Sequence, residues 1–399
     1  MFTSLAFIFL TGLMAASIFQ RLGLPRIIGM LAAGVIIGPY AFHILDPSIL
    51  GISADLRQMA LIIILLKAGL TLNLSDLKKV GRPAALMSFL PACLEVIAYF
   101  LFAPQLLGIS KMDAAVMGAV MSAVSPAVVV PRMVHLIETK YGTNHCVPQL
   151  ILAGASCDDV FVIVLFSTFT AMTQGASTNI TDFINIPISI LLGILLGAAV
   201  GWLLGLFFEC AHARQHSIRS SLKTIIILSV SFLLIALETQ IKNRIAFSGL
   251  LAVISMASVL QIKCPPFVSQ RLSAKFGKLW IGAEVLLFVL VGTAVDIRYT
   301  LNAGIPAASM IFIALLIRSC GVFLCLIGTQ LNRKERFFCI ISYLPKATVQ
   351  AAIGAVPLSL GLPCGQIVLS VAVLAIIITA PLGAFGIDHS YSVLLTHDV

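Results

Sequence analysis

Charge is what this chain has least of. Its 25 Lys and Arg and 16 Asp and Glu make up 10% of 399 residues, where an average soluble domain carries about 25%. Apolar residues take the place of the missing charge, at 60% of the chain with a mean hydropathy of +1.09. No water-soluble fold hides that much apolar surface. The net charge of +9 does not restore a nucleic-acid partner, because the basic residues sit in short loops between apolar runs, where they orient a chain in a bilayer. The nine cysteines, scattered from Cys93 to Cys364, include no CxxC pair and read as buried apolar thiols. The first apolar run has no basic residue before it, unlike a cleavable signal peptide, and another run follows at once, so it is expected to remain as a helix.

What is present is a succession of apolar runs, each long enough for a hydrocarbon core of roughly 30 Å. They predict helices near 2–20, 25–40, 56–73, 83–107, 112–135, 145–173, 183–208, 222–239, 243–262, 276–297, 303–330, 336–360 and 365–387. The expected fold is an all-α polytopic membrane protein of thirteen spans forming one domain, 1–399. Loop cations fall unevenly. Seventeen, from Arg21 and Arg26 through Lys78, Lys79 and Arg214 to Arg336, lie on one side, and Arg57, Lys111, Lys242, Arg244 and Arg298 on the other. The richer side is cytoplasmic, which puts the amino terminus outside and the carboxyl terminus inside a bacterial inner membrane.

Proline interrupts two spans at mid-membrane. AVSPAVVVP, with Pro126 and Pro131, lies in the fifth, and SYLPKATVQAAIG, with Pro345, in the twelfth. The odd offset of seven spans means that the second half repeats the first upside down: 1–173 and 222–399 form inverted repeats, with 174–221 as a linker helix region. Broken helices in corresponding positions of two inverted halves point to a transporter's substrate site.

An ionisable group at the centre of a span costs roughly 2.5–3.5 kcal/mol on insertion scales. Lys67, Glu95, Asp158, Asp159, Arg318 and Lys346 qualify, with Glu284 near the start of span 10. Asp158 and Asp159 in AGASCDDVFVIVLF carry the argument. Neighbouring residues on a helix point about 100° apart, so the pair cannot grip one ion symmetrically. One carboxylate faces the ion and the other a different partner. A buried carboxylate whose pKa is raised by desolvation can hold a proton or a small cation, not both, and competition for that site is antiport chemistry. A hard cation also wants further oxygens, which the break in span 5 supplies through Ser125 and carbonyls freed around Val124. Lys346, beside Pro345, is expected to neutralise carbonyl ends or one carboxylate, with Asp158 as its partner. Glu95 and Arg318 lie in corresponding spans of the two halves and are expected to pair. Lys67, near a span end, reads as snorkelling. Of the seven histidines, mostly in loops, solvation is the plain reading and pH sensing the sharper one.

MGAVMSAVSPAVVVPRMV, then Asp158 in GASCDDV 33 residues after Ser125, then LLFVLVGTAVDI and LPKATVQAAIG, together resemble the sodium/proton antiporters of the cation:proton antiporter superfamily. The branch that most resembles the chain is the mammalian-type sodium/hydrogen exchanger subfamily B with its bacterial relatives, and the resemblance extends over most of the chain. It implies a homodimer embedded in membrane lipids, with a dimerisation domain and a mobile six-helix core that moves like an elevator. It also implies Asp159 as the primary ligand of Na+ (or Li+) and Asp158 as its partner, with no cofactor. The chain departs from electrogenic bacterial members, which carry lysine where this sequence has Arg318, so their stoichiometry does not transfer. Longer subfamily members carry extra terminal material, and control by such an appended domain is not expected here. Potassium/proton exchange and sodium-coupled uptake of an organic anion are the competing readings. An intramembrane aspartyl protease would need its aspartates on different helices.

Overall fold

The computed structural model describes residues 1–71, 81–174, 180–213, 219–241, 247–296 and 304–397. Of the residues singled out above, Lys78, Lys79, Arg214, Lys242, Arg244 and Arg298 lie outside these ranges. The described chain is almost wholly helical, the one β-bridge being between Tyr141 and His397. In order the helices are α1 Phe2–Arg21, α2 Arg26–Ile37, α3 Pro47–Gly51, α4 Ser53–Thr71, α5 Arg82–Met87, α6 Leu90–Leu107, α7 Lys111–Met121, α8 Pro126–Glu138 and α9 Val147–Gln174. They continue as α10 Ile180–Ala213, α11 Ser220–Ile241, α12 Gly249–Lys263, α13 Pro266–Thr293, α14 Gly304–Cys325, α15 Arg333–Ser342, α16 Thr348–Gly354, α17 Val356–Ser359 and α18 Gly365–Leu394.

Among the described residues, nine helical stretches are long and apolar enough to cross a membrane, and Arg26–Ile37, Gly249–Lys263 and Thr348–Ser359 are shorter apolar helices. Ser53–Thr71, which carries Asp55, Arg57 and Lys67, stands outside both sets. Each expected run therefore coincides with helix, while nine meet the length and composition of a span. The tenth run begins about ten residues earlier than its apolar stretch, because the basic segment from Pro266 onward is already helical.

Side-chain caps mark several helix starts. Asp46 accepts from Ser48 N at 2.8 Å to open α3, and this hydrogen bonding holds its carboxyl below the usual range. Ser110 accepts from Asp113 N ahead of α7. Asn332 and Glu335 form a reciprocal capping box at α15.

Two compact units divide the chain. One comprises 1–54, 73–169 and 287–399. Within it α2 and the end of α13 touch backbone to backbone: a Cβ on Gly34 would lie 2.0 Å from Val289 O, and one on Gly292 2.3 Å from Leu31 O. The other unit comprises 55–72 and 170–286. There Gly197 of α10 sits so close to α12 that a Cβ would meet Ala252 O at 2.2 Å. Close approach through small residues is how helices associate where lipid removes the hydrophobic drive.

Cys264, Cys325, Cys339 and Cys364 are buried, as expected of apolar thiols, whereas Cys146, Cys210 and Cys320 are exposed on the protein surface. A thiol is apolar enough to face lipid as well as core. Pro131, expected at a break, lies inside α8 instead. Its missing N–H removes one intrahelical bond without ending the helix.

Candidate ion site

The two interrupted spans supply the site. Met121 ends α7 and Pro126 begins α8, leaving Ser122 to Ser125 unwound. Ser342 ends α15 and Thr348 begins α16, leaving Tyr343 to Ala347 unwound. Proline explains both interruptions: it lacks an N–H and disfavours helical backbone in the residue before it. The breaks touch, with Ser125 N donating to Pro345 O at 2.8 Å.

Each interruption frees carbonyls that would be costly to bury unpaired. At the first, Lys346 Nζ donates to Met121 O at 2.6 Å, Gln350 Nε2 to Ala123 O at 2.9 Å, and Arg318 Nη1 to Ser122 O. At the second, Arg318 Nε donates to Tyr343 O at 3.1 Å. The cations thus stand at the carbonyl ends of α7 and α15, where the helix dipole favours positive charge. Asp158 takes the opposite role: its Oδ2 accepts from Val124 N at 2.8 Å, just ahead of α8.

Four buried charges interlock. Arg318, on α14, donates from Nη1 to Glu95 Oε2 at 2.7 Å and from Nη2 to Asp158 Oδ2 at 3.2 Å. Lys346 Nζ lies 2.8 Å from both oxygens of Glu95, on α6. All four side chains are 0% exposed. The Glu95–Arg318 pairing therefore matches the expectation. The partner expected for Lys346 does not, because Lys346 holds Glu95 and Arg318 holds Asp158. The five donors of a guanidinium serve two carboxylates and two carbonyls at once, more than the three donors of an ammonium can reach.

Asp159 stands apart. It is buried, and among the described residues it makes no hydrogen bond or ion pair; its Oδ1 has no partner. Asp158 Oδ1 and Ser125 Oγ are likewise buried without partners. The structure thus places Val124, Ser125, Pro126, Asp158, Lys346, Arg318, Glu95 and Pro345 in one network, with Asp159 on the same helix as Asp158 and Pro131 one turn beyond the break. Sequence reasoning missed Gln350 and Thr379, whose Oγ1 accepts from Lys346 N at 2.9 Å. Neither carries a charge, and only the alignment of span 6 with span 13 could have drawn attention to Thr379. Lys67 is half-buried in α4.

A helical membrane protein whose two interrupted helices meet beside buried carboxylates has the makings of a secondary transporter. The family described as "Sodium/hydrogen exchanger, transmembrane" matches residues 5–389. Human sodium/hydrogen exchanger 9B2 is 32% identical over 376 residues, 90% of this chain and 68% of that protein. Human sodium/hydrogen exchanger 9B1 is 30% identical over 377 residues, 90% of this chain and 70% of that protein. The structure of the sodium proton antiporter MjNhaP1 from Methanocaldococcus jannaschii at pH 8 superimposes with a TM-score of 0.79 at 21% identity, covering 96% of this chain and 94% of that one; this likeness shows the fold. The chain belongs to the sodium/hydrogen exchanger family, and is thereby a multi-pass cation:proton antiporter rather than an enzyme.

Proposed function

We propose that the protein exchanges Na+ (or Li+) for H+, with Asp159 as the carboxylate that binds one or the other. One observation carries this reading: of the two adjacent aspartates, Asp158 is held by Val124 N and Arg318, whereas Asp159 is buried and unengaged among the described residues. A desolvated carboxylate without a counter-ion holds a proton, and a small cation that replaces the proton needs other oxygens close by. Ser125 Oγ and Asp158 Oδ1, both unengaged, are the candidates. Arg318 and the Val124 amide hold Asp158 while Asp159 changes state, so the two carboxylates divide anchoring from exchange.

In this reading the segments 1–173 and 222–399 are inverted repeats joined by 174–221, and transport follows elevator-type alternating access. That every residue of the network belongs to one compact unit supports it. The protein works as a homodimer in a bacterial inner membrane, with its amino terminus outside. Dequenching of a pH dye in proteoliposomes tests the chemistry. Sodium or lithium should drive proton movement in the wild type and in neither case in Asp159→Asn. Response to potassium alone would make the protein a potassium/proton exchanger. No response to any of the three cations, in folded protein, would sink antiport and bring forward uptake of another solute.

A further inference from the structure

The two breaks are held by one device. Val124 N at the first donates to Asp158, 34 residues further on, at 2.8 Å. Lys346 N at the second donates to Thr379, 33 residues further on, at 2.9 Å. Each acceptor stands on the long helix that follows its break, α9 or α18. Thr379 thus occupies beside the second break the place that Asp158 occupies beside the first.

α18 is shaped to receive that break. Thr379 is fully buried, and one turn on, on the same face, stands Gly383. A Cβ at Gly383 would lie 2.2 Å from Pro345 Cγ, so the proline ring packs directly on α18 backbone. The hydroxyl above and the bare backbone below grip Pro345 and Lys346 together. An N–H buried without an acceptor carries a full desolvation penalty, and the Thr379 hydroxyl is the acceptor for the Lys346 N–H.

We propose that Thr379 is a positioning residue for the cation site, acting through the second break. By fixing the Lys346 backbone it places the Pro345 carbonyl that accepts from Ser125 N at 2.8 Å, and with it the Ser125 hydroxyl. It also sets the root of the ammonium that holds Glu95. The exchange of carboxylate for hydroxyl has a consequence for ion binding. A neutral acceptor fixes the break without adding a second carboxylate over which proton and cation could compete, so exchange stays at the first break. The inference rests on the exchange reading above.

Three substitutions separate the hydroxyl from the shape of the side chain. Thr379→Val keeps the shape and loses the acceptor. Thr379→Ser keeps the acceptor and loses a methyl group. Thr379→Cys offers a weaker acceptor. The expected KM for sodium in proteoliposomes rises about tenfold in Val, the scale of one unmade buried hydrogen bond, stays near wild type in Ser and lies between in Cys. The maximal rate per inserted protein stays within about twofold throughout. Hydrogen exchange of the peptide carrying Lys346 gives a readout that needs no transport: protection should fall in Val and be kept in Ser. An unchanged KM in Val, an equal rise in Val and Ser, or unchanged protection in Val would each overturn the proposal. If Val does not reach the membrane, the Ser and Cys pair decides by the same criteria. A wild type without cation-driven proton movement would refute the exchange reading, and the protection pattern would still decide whether Thr379 fixes Lys346.

Discussion

Glu95 shows how much one residue can carry. It is fully buried, and it meets Arg318 at 2.7 Å and Lys346 at 2.8 Å. With Asp158 it brings two negative charges to two positive ones, so the cluster is balanced while its members stay where they are. Removing one partner of a buried ion pair costs about 3–5 kcal/mol, because the survivor is left uncompensated. Glu95→Gln is therefore expected to lower the thermal stability of the detergent-solubilised protein by an amount of that order. Lys346→Met should do the same, and the double variant should recover much of the loss because the two defects cancel. Losses that simply add would mean that Lys346 and Glu95 do not depend on each other. Lysine and glutamate could be picked out of the sequence as costly insertions, but their partners could not. A span's position in the chain leaves open which way round its helix turns, and the arginine fork reaches further than a list of charges suggests.

Among the elements, the breaks were legible because proline states its backbone limits locally. Pro126 and Pro345 lie where the helices stop, at N1 of α8 and inside the second interruption. Pro131 carries the same local signal yet sits within α8, since one missing intrahelical hydrogen bond is not enough to end a helix. Gly383 was illegible for the opposite reason: glycine is common in membrane helices, and its role appears only when the Pro345 ring is seen against it. Gly383→Ala would bring a Cβ to 2.2 Å from that ring and push the second break away from α18. Overpacking of this kind costs about 1–3 kcal/mol. Gly277, in α13, has nothing within 4 Å of a built Cβ, so Gly277→Ala gains helix propensity of about 0.8–1.0 kcal/mol. Melting curves of the two variants should shift in opposite directions, Gly383→Ala down and Gly277→Ala up. A Gly383→Ala protein as stable as wild type would show that the break has room to retreat.

At the scale of the whole molecule, the charge carried per cycle follows from which groups are free to change state. Within the unit that holds the site, Glu95, Arg318, Lys346 and Asp158 compensate one another, whereas Asp159 makes no ion pair among the described residues. If only Asp159 alternates between proton and cation, one H+ leaves for each Na+ that enters, and the site carries the same charge in both loaded states. A second proton would have to come from a member of that cluster, and Asp158 or Lys346 would first have to give up its partners there. A one-for-one cycle moves no net charge, so it does no work against the membrane potential, where each elementary charge is worth about 2.3 kcal/mol per 100 mV. Sodium-driven proton flux should therefore be the same whether proteoliposomes are clamped with potassium and valinomycin at 0 mV or at about −100 mV. Arg318→Ala, which releases Asp158, should introduce a dependence on potential if the freed carboxylate begins to carry a second proton. A wild type whose flux already responds to the clamp would mean that a member of the four-charge cluster, Asp158 or Lys346, changes state in every cycle.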